Sequence, residues 1–366
     1  MKASRSAMIM AGGTGGHVFP GLAVATALLA RDWDVSWIGT SRGLESRVVP
    51  DNGIHLHTLK TLGLRGKGVG PKIKGVVSLL LSCLQALWLL ITNRPSVVVG
   101  FGGYAAGPAG IVAWLLRIPV VIHEQNAVAG TTNRLLSRVA QRVLAGFEGA
   151  FSSGLPVLTI GNPVRSTLAN VPSKAYPESG FSKAQPLKLA ILGGSQGALA
   201  LNRGVPTALS KLSSDALECI AVRHQCGGNH HDITESAWSA VSLADLEVTP
   251  FVDDMAELYQ WADVAICRAG ALTVCELAVT GTPSVLVPLP NAIDNHQLKN
   301  AEVLRDAGGA VIVEQKDLES GTLEAFIAEK LMQSQGLAEM SSAAKAWSKP
   351  HATEQVVAVI EEVVCG

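Results

Sequence analysis

Short apolar runs separated by helical patterns fill most of this chain. In the first half, Ala7–Met10, Val35–Gly39, Ile54–Leu59, Val97–Gly100, Val120–His123 and Val143–Ala145 read as strands. Val18–Arg31, Leu44–Asp51, Lys74–Thr92, Pro108–Leu116 and Thr131–Ala140 read as the helices between them. Strands that are short continuous apolar runs, alternating with helices, predict a parallel sheet covered on both faces. A second series has strands at Leu187–Leu192, Cys219–His224, Glu247–Thr249, Val264–Cys267, Ser284–Pro288 and Ala310–Val313. Between the two lies Gly161–Pro186, rich in Pro, Ser, Asn and Ala with little periodicity, which reads as a hinge. The pattern predicts an α/β protein of two doubly wound, Rossmann-like domains. These are residues 1–161 and 187–350, joined by a linker at 162–186. A terminal helix within 351–366 (Thr353–Val364) is expected to pack back on a domain. Two such halves place a cleft between the carboxyl ends of two sheets, where ligands bind.

Composition narrows the class. Of 366 residues, 48% are hydrophobic, which excludes global disorder and allows two large cores. The net charge of −1 lacks the basic excess of a nucleic-acid binder. Six scattered cysteines form no C-x-x-C pair, so neither a disulfide framework nor a zinc site is expected. The apolar part of the N-terminal segment is too short for a signal peptide and runs into glycines. These features predict a cytoplasmic protein.

One run changes that picture. Gly75–Asn93 carries no charge, and about 18 apolar residues suffice to suggest a membrane span. Ser78, Ser82 and Gln85, however, fall at i, i+4 and i+7, on one helix face. The run also lies between two strands of one sheet, which a span would put on opposite sides of a membrane. With Lys67, Lys72 and Lys74 just before it, the run fits a helix lying on an anionic membrane surface. A helix buried on both faces is the competing expectation.

Candidate chemistry lies at strand ends. Ala11–Pro20 (AGGTGGHVFP) joins the first strand to a helix. Its glycines expose backbone N–H groups beside the positive end of a helix dipole, which suits phosphate or a hydroxyl about to lose a proton. His17, in the first turn, is a candidate base. Known nucleotide fingerprints fail: G-x-G-x-x-G would need glycine at Val18, and no P-loop occurs. Other glycine loops replace them: Gly100–Gly103 followed by Tyr104, Gly193–Gly197 with Ser195, and Ala269–Thr273. Two of these open helices in the second domain, and a diphosphate between two helix N-termini needs little further charge. Glu276 is expected either to accept ribose hydroxyls or to close a T-x-x-E capping box with Thr273. Asp294, His296 and Gln297 form a polar cluster suited to sugar hydroxyls. Asn126 ends a strand, Arg165 sits at the hinge, and His123 with Glu124 lacks a third metal ligand of matching spacing.

In this order, GGTGGH, GGYAAGP, HEQN, GNPVR, GGSQGA, FVDDM, RAGALTVCE and DNHQ make nearly the whole chain resemble the MurG family, bacterial peptidoglycan N-acetylglucosaminyltransferases. The resemblance implies a glycosyltransferase-B fold of the family 28 type. It implies transfer of GlcNAc from UDP-GlcNAc to the C4 hydroxyl of MurNAc in undecaprenyl-diphospho-MurNAc-pentapeptide (lipid I), forming lipid II at the inner face of the cell membrane. Carried over by position, it implies donor contacts from Thr14, Gly15, Gly16, Asn126, Arg165 and Ser195. Val252 stands where the family usually has isoleucine beside the uracil. Ala271, Leu272, Thr273, Val274, Cys275 and Glu276 match the segment around uracil, diphosphate and ribose, with Cys275 in place of a more usual serine. Gln297 matches a glutamine that reads GlcNAc, and His296 and Tyr104 stand beside matched positions. The implied reaction is an inverting single displacement with His17 as base and with no required cofactor or divalent ion.

Overall fold

The computed structural model describes residues 5–59, 69–194, 196–318 and 322–365 of the chain. Contacts divide it into two compact units. One comprises Met1–Arg165 together with Lys349–Gly366, the other Ser166–Ser348.

Among the described residues the first unit has seven parallel strands: β1 (Ser6–Ala11), β2 (Asp34–Gly39), β3 (His55–Thr58), β4 (Val97–Gly102), β5 (Val120–Glu124), β6 (Arg142–Ala145) and β7 (Val157–Thr159). They lie in the order β3-β2-β1-β4-β5-β6-β7, so the order reverses beside β1. The central strands are apolar throughout: Met8, Ile9, Met10, Val97, Val98 and Val99 are fully buried, as strands covered by helices on both faces must be. β7 is the strand that the hydrophobic pattern does not announce. It spans three half-exposed or exposed residues after Pro156.

The chain's last helix, Ala352–Cys365, completes this unit rather than standing apart. Val356, Val357, Ile360 and Val363 join the core beneath the helix Gly15–Leu29. Glu361 pairs with Arg31 at 3.0 Å, and Glu362 with Arg142 at 2.7 Å.

Among the described residues the second unit has six parallel strands: β8 (Leu187–Leu192), β9 (Ile220–Gln225), β10 (Asp245–Thr249), β11 (Val264–Cys267), β12 (Ser284–Leu286) and β13 (Ala310–Ile312). Their order is β10-β9-β8-β11-β12-β13, again reversing, here between β8 and β11. The segment that reads as a hinge divides at Arg165 and Ser166. Beyond that point it packs with the second unit, whose core carries Tyr176 and Phe181.

The uncharged run forms the helix Val69–Asn93, whose polar and apolar faces are reversed from the usual arrangement. Ser78 and Ser82 are buried, together with Ala86, Leu89 and Leu90. Val77, Leu80, Leu81, Leu84, Trp88 and Ile91 are exposed, up to 69% at Trp88. That exposure overturns the expectation of a helix buried on both faces. Beside it, the helix Ala106–Leu115 adds exposed Trp114 and Leu115. Among the described residues no helix is long and apolar enough to cross a membrane. Lys67 and the side chains of Lys72 and Lys74 lie outside the described residues.

Candidate active site

In the first unit the candidate residues gather at the carboxyl ends of β1, β4 and β5. The helix after β1 starts at Gly15, so His17 is its third residue. Thr14 occupies the N-cap position with extended backbone, but its hydroxyl makes no capping bond. It is exposed, whereas Gly15, Gly16 and His17 are half-buried. His17 Nδ1 lies 3.3 Å from the Gly12 carbonyl oxygen. Because that oxygen only accepts, the bond puts the ring proton on Nδ1 and the lone pair on Nε2. The β4 turn presses against the same loop. Gly102 and Gly103 have φ of 104° and 88°, a region that favours glycine. A Cβ at Gly102 would stand 3.1 Å from the His17 ring, and one at Gly103 would collide with the Gly12 carbonyl. Tyr104 follows, 56% exposed.

The loop is also held from a direction that the sequence motifs do not reveal. Glu45 is fully buried. Its Oε2 accepts the Gly13 N–H at 2.9 Å. Its Oε1 accepts the Thr40 N–H and hydroxyl at 2.9 and 2.7 Å. Glu124 plays a similar part at the end of β5. Its oxygens accept from the Asn126 N–H and side-chain amide, the Gly130 N–H and the Asn133 amide. Asn126 is thus oriented by Glu124. His123 is buried, with Nε2 2.9 Å from the Gly161 carbonyl oxygen, and burial lowers its pKa to about 4. With Glu124 saturated by donors and His123 on a carbonyl, this pair is structural. Arg165, the last residue of the unit before the crossing, sits with its guanidinium 5.6 Å from the ring centre of Phe19, on the helix of His17.

The second unit collects the remainder. Gly194 exchanges both backbone bonds with the Gln225 amide, its N–H donating at 3.0 Å and its carbonyl accepting at 3.1 Å. Ser195 lies outside the described residues. The helix Ala271–Thr280 has Gly270, not Thr273, at its N-cap, so the T-x-x-E capping box does not form. Leu272 and Thr273 are the partly accessible side chains of its first turns, while those of Ala271, Val274, Cys275 and Glu276 are buried. Glu276 Oε2 accepts from the Tyr259 hydroxyl at 3.3 Å. Asn300, fully buried, donates to the Ala269 carbonyl at 3.2 Å and ties the helix His296–Asp306 to this loop. Asp294 and Asn295 reach that helix through left-handed backbone, with φ of 55° and 51°. His296 and Gln297 open it, half-buried. The Gln297 side-chain oxygen accepts the Leu289 N–H at 2.9 Å, which fixes the preceding loop. Val252 lines a cavity of about 220 Å³ with Arg223, Gln225, Thr249 and Phe251 among its other walls. One trio whose ligand atoms lie within 4.8 Å of one another, His231, Asp232 and Glu235, sits on the helix His231–Trp238 and belongs to none of these loops.

Sequence reasoning found the loops because glycines after apolar runs announce them. It missed Glu45, Asn133 and Asn300, buried polar side chains whose partners lie outside their own helices. Their sole signal is a polar residue within an otherwise apolar helix face.

Each unit matches a family model on its own. The Glycosyltransferase family 28 N-terminal domain matches residues 7–145, and the C-terminal domain of the same family matches residues 188–356. A Stutzerimonas stutzeri protein named UDP-N-acetylglucosamine–N-acetylmuramyl-(pentapeptide) pyrophosphoryl-undecaprenol N-acetylglucosamine transferase is 46% identical, over 98% of this chain and 99% of its own. The crystal structure of Acinetobacter baumannii MurG superposes with a TM-score of 0.82 at 39% identity, covering 98% of this chain and 99% of its own. A putative UDP-N-acetylglucosamine 2-epimerase from Listeria monocytogenes covers 98% of this chain and 96% of its own with a TM-score of 0.68, but at 12% identity it shares the fold alone. Two family domains in sequence order, and relatives matched from end to end, make this chain a member of glycosyltransferase family 28.

Proposed function

We propose that this enzyme transfers GlcNAc from UDP-GlcNAc to the C4 hydroxyl of MurNAc in lipid I, giving lipid II. The observation that carries this reading is the 46% identity, along essentially the whole chain, to a transferase named for that reaction. In the proposed step the acceptor oxygen attacks the anomeric carbon, the bond to the diphosphate breaks, and UDP leaves with the electron pair. The acceptor's proton goes to Nε2 of His17. A general base of this kind contributes roughly 10²–10⁴ in rate.

The donor is assigned to the second unit. Backbone N–H groups at the start of the helix Ala271–Thr280, with the Thr273 hydroxyl, take the diphosphate, and Glu276 takes the ribose. Ser195, Val252, His296 and Gln297 complete that set, and Thr14, Gly15, Gly16, Asn126, Arg165 and Tyr104 act from the first unit. Val274 and Cys275, with buried side chains, contribute through backbone.

The exposed stripe Val77, Leu80, Leu84, Trp88 and Ile91 supports peripheral attachment to a membrane, where a lipid-borne acceptor is met, and Lys67, Lys72 and Lys74 in the sequence before it favour an anionic one. The cytoplasmic face of the cell membrane is the corresponding location. Transfer of labelled GlcNAc from UDP-GlcNAc to a lipid I acceptor tests the function. Turnover of UDP-GlcNAc without acceptor would point instead to an epimerase on this fold.

A further inference from the structure

The Gly12–Gly13 peptide is held at both ends. Its N–H donates to Glu45 Oε2 at 2.9 Å, and its carbonyl oxygen receives His17 Nδ1 at 3.3 Å. We propose that Glu45 is a positioning residue for His17, acting through this one peptide unit. Carboxylate, peptide and imidazole form a relay that fixes the proton on Nδ1 and favours the imidazolium formed when Nε2 takes up the acceptor's proton. The inference rests on His17 being the base.

The physical argument is polarisation. An anion accepting an amide N–H shifts electron density along the amide toward its oxygen, so the carbonyl becomes a stronger acceptor. Aligned hydrogen bonds in a low-dielectric interior strengthen one another in this way. In the Ser-His-Asp arrangement a carboxylate sits directly on Nδ1 and sets tautomer and orientation. Here one peptide intervenes, so the same effect is transmitted in smaller measure.

Glu45 is built for this role. A buried carboxylate is costly unless it is supplied with hydrogen bonds, and all three of its contacts are donors. The space it fills is cleared by glycine: a Cβ at Gly12 would come within 2.5 Å of Oε1, and one at Gly39 within 2.6 Å of Cγ. Both of its oxygens accept backbone N–H groups, so a glutamine there would turn its NH2 against either Gly13 or Thr40, and only the carboxylate satisfies both sides. β4 ends against the ring in Gly102, and Gly103 and the Tyr104 phenol follow. On the same helix Phe19 carries the Arg165 cation over its ring. Both groups are left intact in the test.

The test uses the full-length enzyme with UDP-GlcNAc and lipid I, comparing Glu45→Gln, His17→Ala and the double variant across pH. Glu45→Gln is expected to lower plateau kcat by about tenfold to a hundredfold, less than loss of the base itself, with KM for UDP-GlcNAc within about threefold. Without the anion His17 is the weaker base, so the acid limb of the kcat–pH profile moves to lower pH. In the His17→Ala background the second change should cost less than about twofold, because the relay then has nothing to act on. An unmoved limb, an unchanged kcat, or losses that multiply overturn the relay. Full loss in His17→Ala with no loss in Glu45→Gln removes the relay and leaves the base; unchanged kcat in His17→Ala removes both. Should Glu45→Gln fail to fold, Glu45→Asp, with the charge drawn back by one methylene, should show the same limb shift in smaller measure, and an unmoved limb there overturns the proposal equally.

Discussion

Ser82 donates its hydroxyl to the carbonyl of Ser78, one turn earlier, at 2.8 Å on the buried side of a helix whose other side shows Leu84 and Trp88 to solvent. Ser82, turned inward, uses the helix's own backbone as its partner, so it faces the core without cost in unpaired groups. The leucines are left outside.

The first prediction concerns that face. Replacing Leu80, Leu84 and Trp88 together with serine should leave the thermal midpoint within a few degrees, because all three are exposed. Each removed side chain forfeits on the order of 1.5–3 kcal/mol of insertion, so binding to phosphatidylglycerol vesicles should fall at least tenfold. Co-sedimentation decides this; unfolding in place of release would mean that the residues are core.

Removal of the imidazole makes a second prediction. His17→Ala should keep UDP-GlcNAc affinity, measured by titration calorimetry, while kcat falls by roughly 10²–10⁴. Undiminished turnover would end the assignment of His17 as base.

Glu276 supplies a third. Its carboxylate faces Tyr259 and takes no part in a capping box. Losing two charge-assisted bonds to ribose should weaken UDP binding by about tenfold to a thousandfold in Glu276→Ala. Tyr259→Phe should have a smaller effect. Equal affinity of wild type and Glu276→Ala for UDP would show that the ribose contact is made elsewhere.

Acid stability is the fourth. Burial lowers the pKa of His123 to about 4 and that of His224 to about 3. His224 donates from Nε2 to Asn202 and accepts the Trp238 indole N–H on Nδ1, so a second proton would face a donor. In the unfolded chain both titrate near 6.5. The stability held by the neutral rings is complete above that value and is lost as pH falls toward 4 and 3. His123 alone accounts for about 3 kcal/mol across that window. Urea midpoints at pH 7 and pH 4.5 should differ accordingly, and His123→Gln should flatten the difference.

Among the described residues the hydrophobic pattern located twelve of thirteen strands, most of them buried apolar runs, though the edge strands β3 and β10 are largely exposed; β7, three residues beside a proline, carries no such signature. Glycines after apolar runs marked the loops that follow β1, β4, β8 and β11, and polar clusters marked those of Asn126 and Gln297. The pattern could not mark Glu45, whose partner Gly13 lies 32 residues earlier, or Asn300, whose partner Ala269 lies 31 residues earlier. Such pairings depend on which elements the sheet order makes neighbours, and that order is not written in local periodicity. The direction of the Val69–Asn93 helix was likewise hidden, since periodicity separates two faces without saying which one meets the sheet.

The helix Ala352–Cys365 has a consequence for synthesis on the ribosome. Val356, Val357, Ile360 and Val363 belong to the core of the unit whose strands are made first. That core stays open while all of Ser166–Ser348 is translated, roughly 10–40 s at about 5–20 residues per second. During that interval the nascent first unit exposes both its unfilled groove over the helix Gly15–Leu29 and the apolar face of Val69–Asn93. The enzyme is therefore most prone to aggregate, and most in need of a chaperone or a membrane to rest on, just before the helix Ala352–Cys365 emerges.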